Sequence, residues 1–410
     1  MLKLLKFGGI IIYFAVVLSA AAYPATWQDV AALSRNNDDY VSAKKQLDSA
    51  EWTYKKAYSA FLPQLSASAG YSETLPPFDL EKSYSLGLSA TQSIFNGMKN
   101  YYGLKSAFAS YQYYLENLKK TGSDVHYNIR VAFIELYIAQ ENLDLSNQIL
   151  ARIKENARMI RLRYDSGRED KGNLLTTVAS QKDAEYGVAS AKRELDLSRL
   201  KIFQLVSSEI RATDGTIDIS METDPDFNSL IENSPSYKMA EYQLESSDIA
   251  AQNTIGGFLP SVSLSASDRK TGEEWPPDTL SSKSWSLNFS YSFFPGGSNI
   301  AEKFINDLNL DKAKRDFESS KKSLRFSIED AFRSAKNAID SLGVKRAQLD
   351  AAAERAKIAD AKYQNGLTTF DEWNRITNDN ITAQRSFLQA KKVAFESVAA
   401  WKNSYGGREE

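Results

Sequence analysis

The 410-residue sequence predicts a mainly helical chain in which long antiparallel coiled-coil helices continue into the strands of a transmembrane β-barrel. Two stretches without charge alternate apolar with small polar residues, as membrane strands do. Two much longer stretches carry apolar residues at steps of three, four and seven, as coiled-coil helices do. The second member of each pair follows the first at a nearly constant offset, which indicates an internal duplication.

The uncharged strand over 83–95 is the clearest sign of a membrane-facing sheet. Side chains alternate faces along a strand, so one face receives apolar residues and the other receives Ser, Gly and Thr. The apolar face holds Tyr84, Leu86, Leu88, Ala90, Gln92 and Ile94. A strand of a soluble sandwich usually carries Lys, Glu or Arg on its outer face, whereas about 10 uncharged residues suffice for a tilted membrane strand. The same alternation recurs over 284–294 and predicts a second strand of this kind.

The first residues have the composition of an export signal. Lys3 and Lys6 precede an apolar run and a small-residue cleavage motif, so we expect a signal peptide over 1–22. No later stretch reaches the roughly 18–20 apolar residues of a spanning helix. The chain has no cysteine, so neither a disulfide nor a lipid-anchored cysteine is expected. With 50 basic and 52 acidic side chains, the charge balance gives no reason to expect nucleic acid as a partner.

The first repeat is assigned to 23–226. Its predicted elements are a helix over 36–60, strands that begin at Leu65 and Ser83, a long helix over 101–164, a return helix over 173–206 and a linker over 207–226. Phe61-Leu62-Pro63 ends the first helix, because proline cannot continue a helix but can begin a strand. Asn96-Gly97 closes the second strand. Gly122 is a predicted point of interruption or bending in the long helix.

The second repeat is assigned to 227–410 and follows the same order. Phe258-Leu259-Pro260 comes 197 residues after Phe61-Leu62-Pro63 and again precedes a strand. Ser234 is the predicted N-cap of the helix before it, with Pro235 as the first helical residue. The remaining predicted elements are a long helix that extends to Tyr363, a turn at Asn365-Gly366 and a last helix over 370–401. We expect the two repeats to form one continuous structural unit.

The predicted strands are too few to close a barrel within one chain. An open sheet in lipid leaves unpaired edge groups, each costing several kcal/mol, so the chain must associate with copies of itself. Two copies would give about eight strands with an interior filled by side chains, whereas three give about twelve with an open interior. The small polar inner face favours three. The same symmetry predicts a ring of helices around a tunnel of roughly 90 Å.

The order of these motifs resembles that of the TolC-type outer membrane efflux proteins, the outer membrane factors. The resemblance covers residues 26–404 and rests on a doubled F-L-P before a strand, a doubled F-x-G after one and a doubled Tyr-x-x-Gly at the coil tips. It implies a homotrimer in the outer membrane of a Gram-negative cell, with a helical tunnel that extends into the periplasm. It also implies an exit duct for tripartite efflux or type I secretion, docked onto a periplasmic adaptor and an inner-membrane pump of the RND or ABC type.

The resemblance places the periplasmic entrance of the tunnel at the coil tips. Glu372 falls at the family's first acidic ring position, while Arg375 stands at the second, a departure from the acidic pattern. Asn173 replaces an acidic coil-locking residue and Thr368 replaces an arginine. We therefore expect a closed-state lock of neutral hydrogen bonds, worth about 0.5–1.5 kcal/mol each. The candidate entrance and gating residues are Tyr164, Gly167, Asn173, Tyr363, Gly366, Asp371, Glu372 and Arg375.

Other residues that could carry chemistry have simpler interpretations. The aromatic residues near the strand ends are candidates for an interfacial belt in contact with outer membrane lipid: Tyr71, Tyr84, Trp275 and Trp285. The single histidine, His126, is expected to pack rather than to bind a ligand, because no cysteine or second histidine can join it. The sequence predicts no cofactor, no metal site and no enzymatic activity.

One alternative uses the same coils. In a soluble periplasmic coiled-coil adaptor or structural protein, the strands would form a small sandwich instead of a barrel. The uncharged strands disfavour this interpretation. A channel should fractionate with the outer membrane, whereas an adaptor should be released with the soluble periplasm.

Overall fold

The computed structural model describes residues 24–74, 81–215, 217 and 219–407. The sequence also predicts a loop over 75–78 between the first two strands; this loop and the predicted signal peptide over 1–22 lie outside the described residues. The helices are α1 (Trp27–Ala32), α2 (Asp38–Ala57), α3 (Lys99–Asp165), α4 (Lys171–Val206), α5 (Phe227–Asn233), α6 (Pro235–Asn253), α7 (Ser298–Gln364) and α8 (Phe370–Ser404). The strands are β1 (Gln64–Thr74), β2 (Glu81–Asn96), β3 (Ser261–Gly272) and β4 (Leu280–Ser290).

The element order confirms the predicted duplication, because each half runs helix, strand, strand, long helix and return helix. The long helices α3 and α7 each contain 67 residues, which corresponds to about 100 Å. α3 is continuous through Gly122, so the predicted interruption there is wrong. One glycine costs only about 1 kcal/mol relative to alanine, which the packing around the buried Gly122 outweighs. Among the described residues, no helix is both long and apolar enough to cross a membrane.

The core of the protomer is built around α3. On one side, Phe133 belongs to a buried cluster with Ile202 of α4. On another side, Ile134 packs in a cluster with Phe395 of α8. α8 in turn packs along α7, so the coils lie in the order α4, α3, α8, α7. The predicted N-cap Ser234 is confirmed, since its hydroxyl accepts the backbone N–H of the third residue of α6 at 3.2 Å.

The short helix α1 was not predicted, although the sequence holds a capping box. Thr26 Oγ1 accepts the Asp29 N–H at 3.4 Å, and Asp29 Oδ2 accepts the Thr26 N–H at 3.0 Å. The helix places Val30 in the core and Trp27 edge-on to His126, with ring centroids 4.9 Å apart. The histidine therefore lies in a packing contact, as predicted. No group of His, Cys, Asp and Glu in the described part of the chain could hold a metal ion.

The strands form one antiparallel sheet in the order β1-β2-β3-β4. Directly paired residues share a face, and the register places most serines of the four strands on one face. The Oγ atoms of Ser66 and Ser89 are 2.7 Å apart, and those of Ser267 and Ser284 are 2.9 Å apart. The opposite face carries residues such as Leu65, Leu88 and Trp285, which confirms the predicted alternation.

The last strand is shorter than predicted. β4 ends at Ser290 rather than at Phe294. Ser290 pairs with Ser261, the first residue of β3, so the residues after Ser290 have no strand partner among the described residues. The two outer strands, β1 and β4, each leave one edge unpaired in the described sheet.

Candidate functional site at the coil tips

The α3–α4 turn and the α7–α8 turn have the same backbone geometry. Gly167 and Gly366 adopt left-handed conformations, with φ values of 73° and 72°. After α3, Arg168 N donates to Arg163 O at 2.8 Å and Gly167 N donates to Tyr164 O at 2.9 Å. The equivalent bonds after α7 measure 2.8 Å and 3.1 Å. This Schellman pattern requires a positive φ, which glycine adopts without strain. The doubled Tyr-x-x-Gly motif is therefore a pair of helix C-caps.

Tyr363, a predicted gating residue, joins the two coil pairs. Its hydroxyl donates to Glu169 Oε2 in the α3–α4 turn. Arg163 Nη2 donates to Tyr363 O at 2.9 Å, and the guanidinium lies 4.5 Å from the centre of the Tyr363 ring. Tyr363 is only 3% exposed. Burial and the adjacent Glu169 carboxylate raise the pKa of the Tyr363 phenol, so the hydroxyl remains protonated and continues to donate.

Trp373 of α8 completes the contact. Its ring stacks on Tyr363, with centroids 4.6 Å apart and planes 8° apart. Its Nε1 donates to Asp360 Oδ1 at 2.7 Å, and Asp360 Oδ2 accepts from Arg152 Nη2 at 2.6 Å. Phe370 packs against both rings. The tip contact thus has packed aromatic rings at its centre. Hydrogen bonds join these rings to the Glu169 carboxylate on one side and to the Asp360 carboxylate on the other.

Within the protomer the tip contact includes a charged acceptor, whereas the sequence predicts a closed-state lock of neutral hydrogen bonds. Asn173 Nδ2 donates to Glu169 Oε1 at 2.7 Å, and the other oxygen of the same carboxylate accepts from Tyr363. The acid therefore lies four residues before Asn173, and the asparagine orients it. Hydrogen bonds to charged groups contribute about 1.5–3 kcal/mol, roughly twice the neutral value.

The predicted entrance residues Glu372 and Arg375 contact each other. Arg375 Nη2 donates to the Glu372 oxygens at 2.7 Å and 2.8 Å, and its Nη1 donates to Asp379 Oδ2 at 3.3 Å. The carboxylate beside it raises the pKa of Arg375, which is charged in any case. Two acids therefore share one guanidinium on this exposed face of α8. Asp371 is also exposed, in the first turn of the same helix.

The remaining candidates are not drawn into this network. Tyr164, the first-repeat counterpart of Tyr363, is 37% exposed. Gly167 and Gly366 face open space and act through the backbone alone. The sequence patterns missed four residues of this contact: Arg163 and Glu169, which contact Tyr363, Asp360, which accepts from Trp373, and Arg152, which pairs with Asp360. These residues contact partners some 194–208 positions away or lie inside a helix with ordinary surface composition, so no local signal marks them.

Three of the four predicted belt aromatics lie together. The ring centroids of Tyr71 and Tyr84 are 5.0 Å apart, and those of Tyr84 and Trp275 are 6.3 Å apart. Trp285 lies elsewhere on the same face, opposite Ala266. A role of these residues at a lipid interface remains a prediction.

Comparison with known proteins gives consistent results. The sequence profile described as "Outer membrane efflux protein" matches residues 31–207 and 227–407. The structure is similar to that of CusC, with a TM-score of 0.84 and 14% identity over 93% of this chain and 92% of that chain. It is similar to the CmeC outer membrane channel of Campylobacter jejuni, with a TM-score of 0.81 and 18% identity over 93% and 86% of the chains.

A further similar structure is the open state of the MtrE outer membrane channel of Neisseria gonorrhoeae, with a TM-score of 0.82 and 17% identity over 93% and 89% of the chains. No curated protein sequence is similar enough to count as a match. At these identities the structural likeness establishes a shared fold, and it confirms the predicted fold class.

Proposed function

Because the chain belongs to the outer membrane efflux protein family, we propose that three copies form the exit duct of a tripartite efflux or type I secretion system. One observation carries this function: an open sheet of four strands joins directly to coils of about 100 Å. The unpaired edges of β1 and β4 could not be satisfied by lipid, so they must pair with other copies. Three copies supply enough strands for an open barrel, with the serine face towards the lumen.

The helical edges of the protomer support assembly into a ring. α4 and α7 lie at opposite ends of the helical layer, and both expose large apolar side chains. These side chains include Tyr186, Leu197, Leu200 and Phe203 of α4 and Phe304, Phe326, Val344 and Ile358 of α7. Exposed large apolar side chains along both edges favour an interface there. Contact between α7 of one copy and α4 of the next would cover these side chains.

The Tyr363 contact is the proposed periplasmic gate. It holds the α7–α8 tip against the α3–α4 tip through Glu169 and Arg163. Loss of this contact would let one coil pair move outward while the Schellman turn at each tip stays intact. Gating would then be a shift of packed helices rather than a local unfolding.

The Glu372–Arg375–Asp379 cluster sets the proposed charge of the entrance. Its guanidinium offsets one of the two carboxylates and bonds to both, so the entrance attracts cations less than a ring of free acids would. Arg375→Gln should raise the cation-to-anion permeability ratio, because each copy then presents two uncompensated acids. The reversal potential in a salt gradient measures this ratio. Arg355→Gln, a surface change on α7, is the control, and equal ratios in the two variants would contradict this role.

The coil tips also offer a docking surface for a periplasmic adaptor. Leu162, Leu175 and Leu367 are exposed around the two turns. Exposed leucines at the end of a helical hairpin suit contact with the helices of another protein. An inner-membrane pump would then supply substrate through the adaptor. The family transports substrates, so no chemical step is assigned to the duct.

Single-channel recording of the detergent-purified protein in a planar bilayer tests the function. We expect protein purified from the outer membrane fraction to give a small, stable conductance. A protein that is released with the soluble periplasm and never conducts would support the adaptor alternative and overturn the duct.

A further inference from the structure

The apolar face of the sheet carries an unexpected pair of charges. Asp268 of β3 lies opposite Leu88 of β2 on one side and opposite Lys283 of β4 on the other. Lys270, two residues along β3, shares this face. The serines occupy the other face, so these charges lie on the side that a barrel turns towards lipid. A charge there is costly and usually has a function.

A depression adjoins this charge pair. Its floor consists of the small residues Ala67, Ala90 and Ala266, one from each of β1, β2 and β3. Taller side chains around it include Leu65, Leu88 and Trp285. The volume is about 710 Å³, within the usual range of small-molecule sites. An apolar hollow on the outer wall of a barrel is suited to an acyl chain.

The charge pair is incompletely satisfied. Lys283 Nζ lies 3.7 Å from Asp268 Oδ2, longer than a hydrogen bond. Asp268 Oδ1 is buried and has no hydrogen-bond partner among the described residues. The Lys283 side chain is 77% exposed. In low dielectric, an ion pair is favourable only when further hydrogen bonds complete both partners. Because Oδ1 is buried, a ligand donor would reach the Asp268 carboxylate at Oδ2, and the exposed Lys283 ammonium is open to an acceptor.

We propose that this surface binds a phospholipid whose headgroup contains both a primary ammonium and a phosphate, as in phosphatidylethanolamine. The ammonium donates to Asp268, the phosphate accepts from Lys283, and one acyl chain lies over the alanine floor. Lys270 stands on the same face, although its Nζ already donates to Asp278 at 3.4 Å. Because Oδ1 is buried, the ammonium meets the carboxylate at Oδ2, beside Lys283. This site rests on the proposed function, because only a barrel in a membrane turns this face to lipid.

Native mass spectrometry of the detergent-purified assembly tests the site with three lipids of identical acyl chains. We expect phosphatidylethanolamine to bind about tenfold more tightly than phosphatidylcholine, which lacks an N–H donor, or phosphatidylglycerol, which lacks the cation. This ratio corresponds to one charge-assisted hydrogen bond. Equal binding of the three lipids would overturn the proposal, as would a preference for phosphatidylglycerol.

Three variants separate the parts of the site. Asp268→Asn should abolish the preference for phosphatidylethanolamine, and Lys283→Gln should weaken the binding of all three lipids. Ala266→Leu fills the hollow without changing charge and should also weaken all three. The control is Asp316→Asn, which removes an exposed ion pair on α7, with Lys312 Nζ 2.7 Å from Asp316 Oδ2. This variant should leave the binding of all three lipids unchanged. Wild-type binding in all three site variants would contradict the site.

Channel recording of the same preparations separates this inference from the function. A preparation that conducts but shows no lipid preference overturns the lipid site alone. A preparation that neither assembles nor conducts overturns the proposed function, and the lipid site with it.

Discussion

The two coil tips share a backbone but differ in their side chains. Both turns close with the same Schellman bonds around Gly167 and Gly366. At the second tip, Tyr363 is buried against Trp373, whereas Tyr164 at the first tip is 37% exposed. Counted from each turn glycine, the position of Trp373 is occupied at the first tip by Leu174.

This difference shows how a duplicated unit acquires the proposed gate. The turn is shared by both repeats, because each has a glycine with a positive φ directly after the end of its long helix. The pocket that holds the tyrosine exists only where α8 supplies Phe370 and Trp373. The first repeat contributes the complementary groups, Arg163 and Glu169. The two tips share a backbone conformation but contribute different side chains to one contact.

Replacement of the two tyrosines should have the largest and most unequal effects. Tyr363→Ala removes a buried aromatic side chain, a change that typically costs about 3–5 kcal/mol. We expect a conductance several times that of the wild type, because the tips separate. Tyr164→Ala, the matched control, should leave the conductance within the wild-type range. Equal increases in the two variants would show that the tips are equivalent.

Asp360→Asn should have a smaller effect on the same contact. It removes the carboxylate charge that pairs with Arg152 and weakens the acceptor of the Trp373 Nε1–H bond. The side chains of Arg152 and Asp360 are each about a third exposed. We expect local opening of the tip to become easier by about 1–2 kcal/mol. Hydrogen exchange of the α7–α8 turn amides measures this opening.

The matched control for Asp360→Asn is Asp350→Asn on the same helix. Asp350 pairs with Arg346 at 3.5 Å, and both side chains are exposed. Exposed pairs contribute little, so exchange at the tip should be unchanged. Faster exchange of similar size in both variants would mean that charge on α7, rather than the tip contact, controls opening.

Replacement of either turn glycine should have the same effect, because the two turns have the same backbone geometry. Gly167→Ala and Gly366→Ala each place a Cβ at positive φ, where alanine costs about 1 kcal/mol. Neither Cβ would meet another atom, so backbone strain is the only source of the free-energy cost. The amides of Arg168 and Leu367 should exchange faster by similar factors. A clearly larger effect at one turn would contradict the shared geometry.

The pH dependence should be the smallest effect. Burial and Glu169 raise the pKa of Tyr363 above the ordinary value of about 10. The stabilisation by the protonated hydroxyl is therefore complete below pH 10 and is lost as pH rises through the raised pKa. Conductance should remain constant between about pH 8 and pH 10. Ultraviolet titration of the wild type against Tyr363→Phe should show one phenol per chain that ionises late. Its ionisation at the ordinary pH would contradict the contact.

Much of the fold could be predicted from periodicity, because seams and alternating strands are local patterns. The doubled Phe-Leu-Pro marks the helix–strand junctions, where proline stops a helix. The end of β4 could not be predicted, because it depends on where its partner β3 begins. No sequence pattern marks Asp268 and Lys283, because only the register places Asp268 opposite Leu88 and Lys283 opposite Asp268.

The site was only half predictable for a related reason. Tyr363 and Asn173 stand out by their position relative to the turn glycines. Glu169 is separated from Tyr363 by 194 positions, and only the packing of one hairpin on the other brings them together. A substitution at Asn173 suggested a neutral lock, yet a carboxylate one turn earlier carries the charge.

The mass of the detergent-purified assembly tests the central claim most directly, because closure of the sheet depends on copy number. One chain has a mass of 45.8 kDa before removal of the predicted signal peptide. Native mass spectrometry should give three copies, enough for an open barrel above the coils. Two copies would give a barrel filled by its own side chains, and that result or a monomer would contradict a duct.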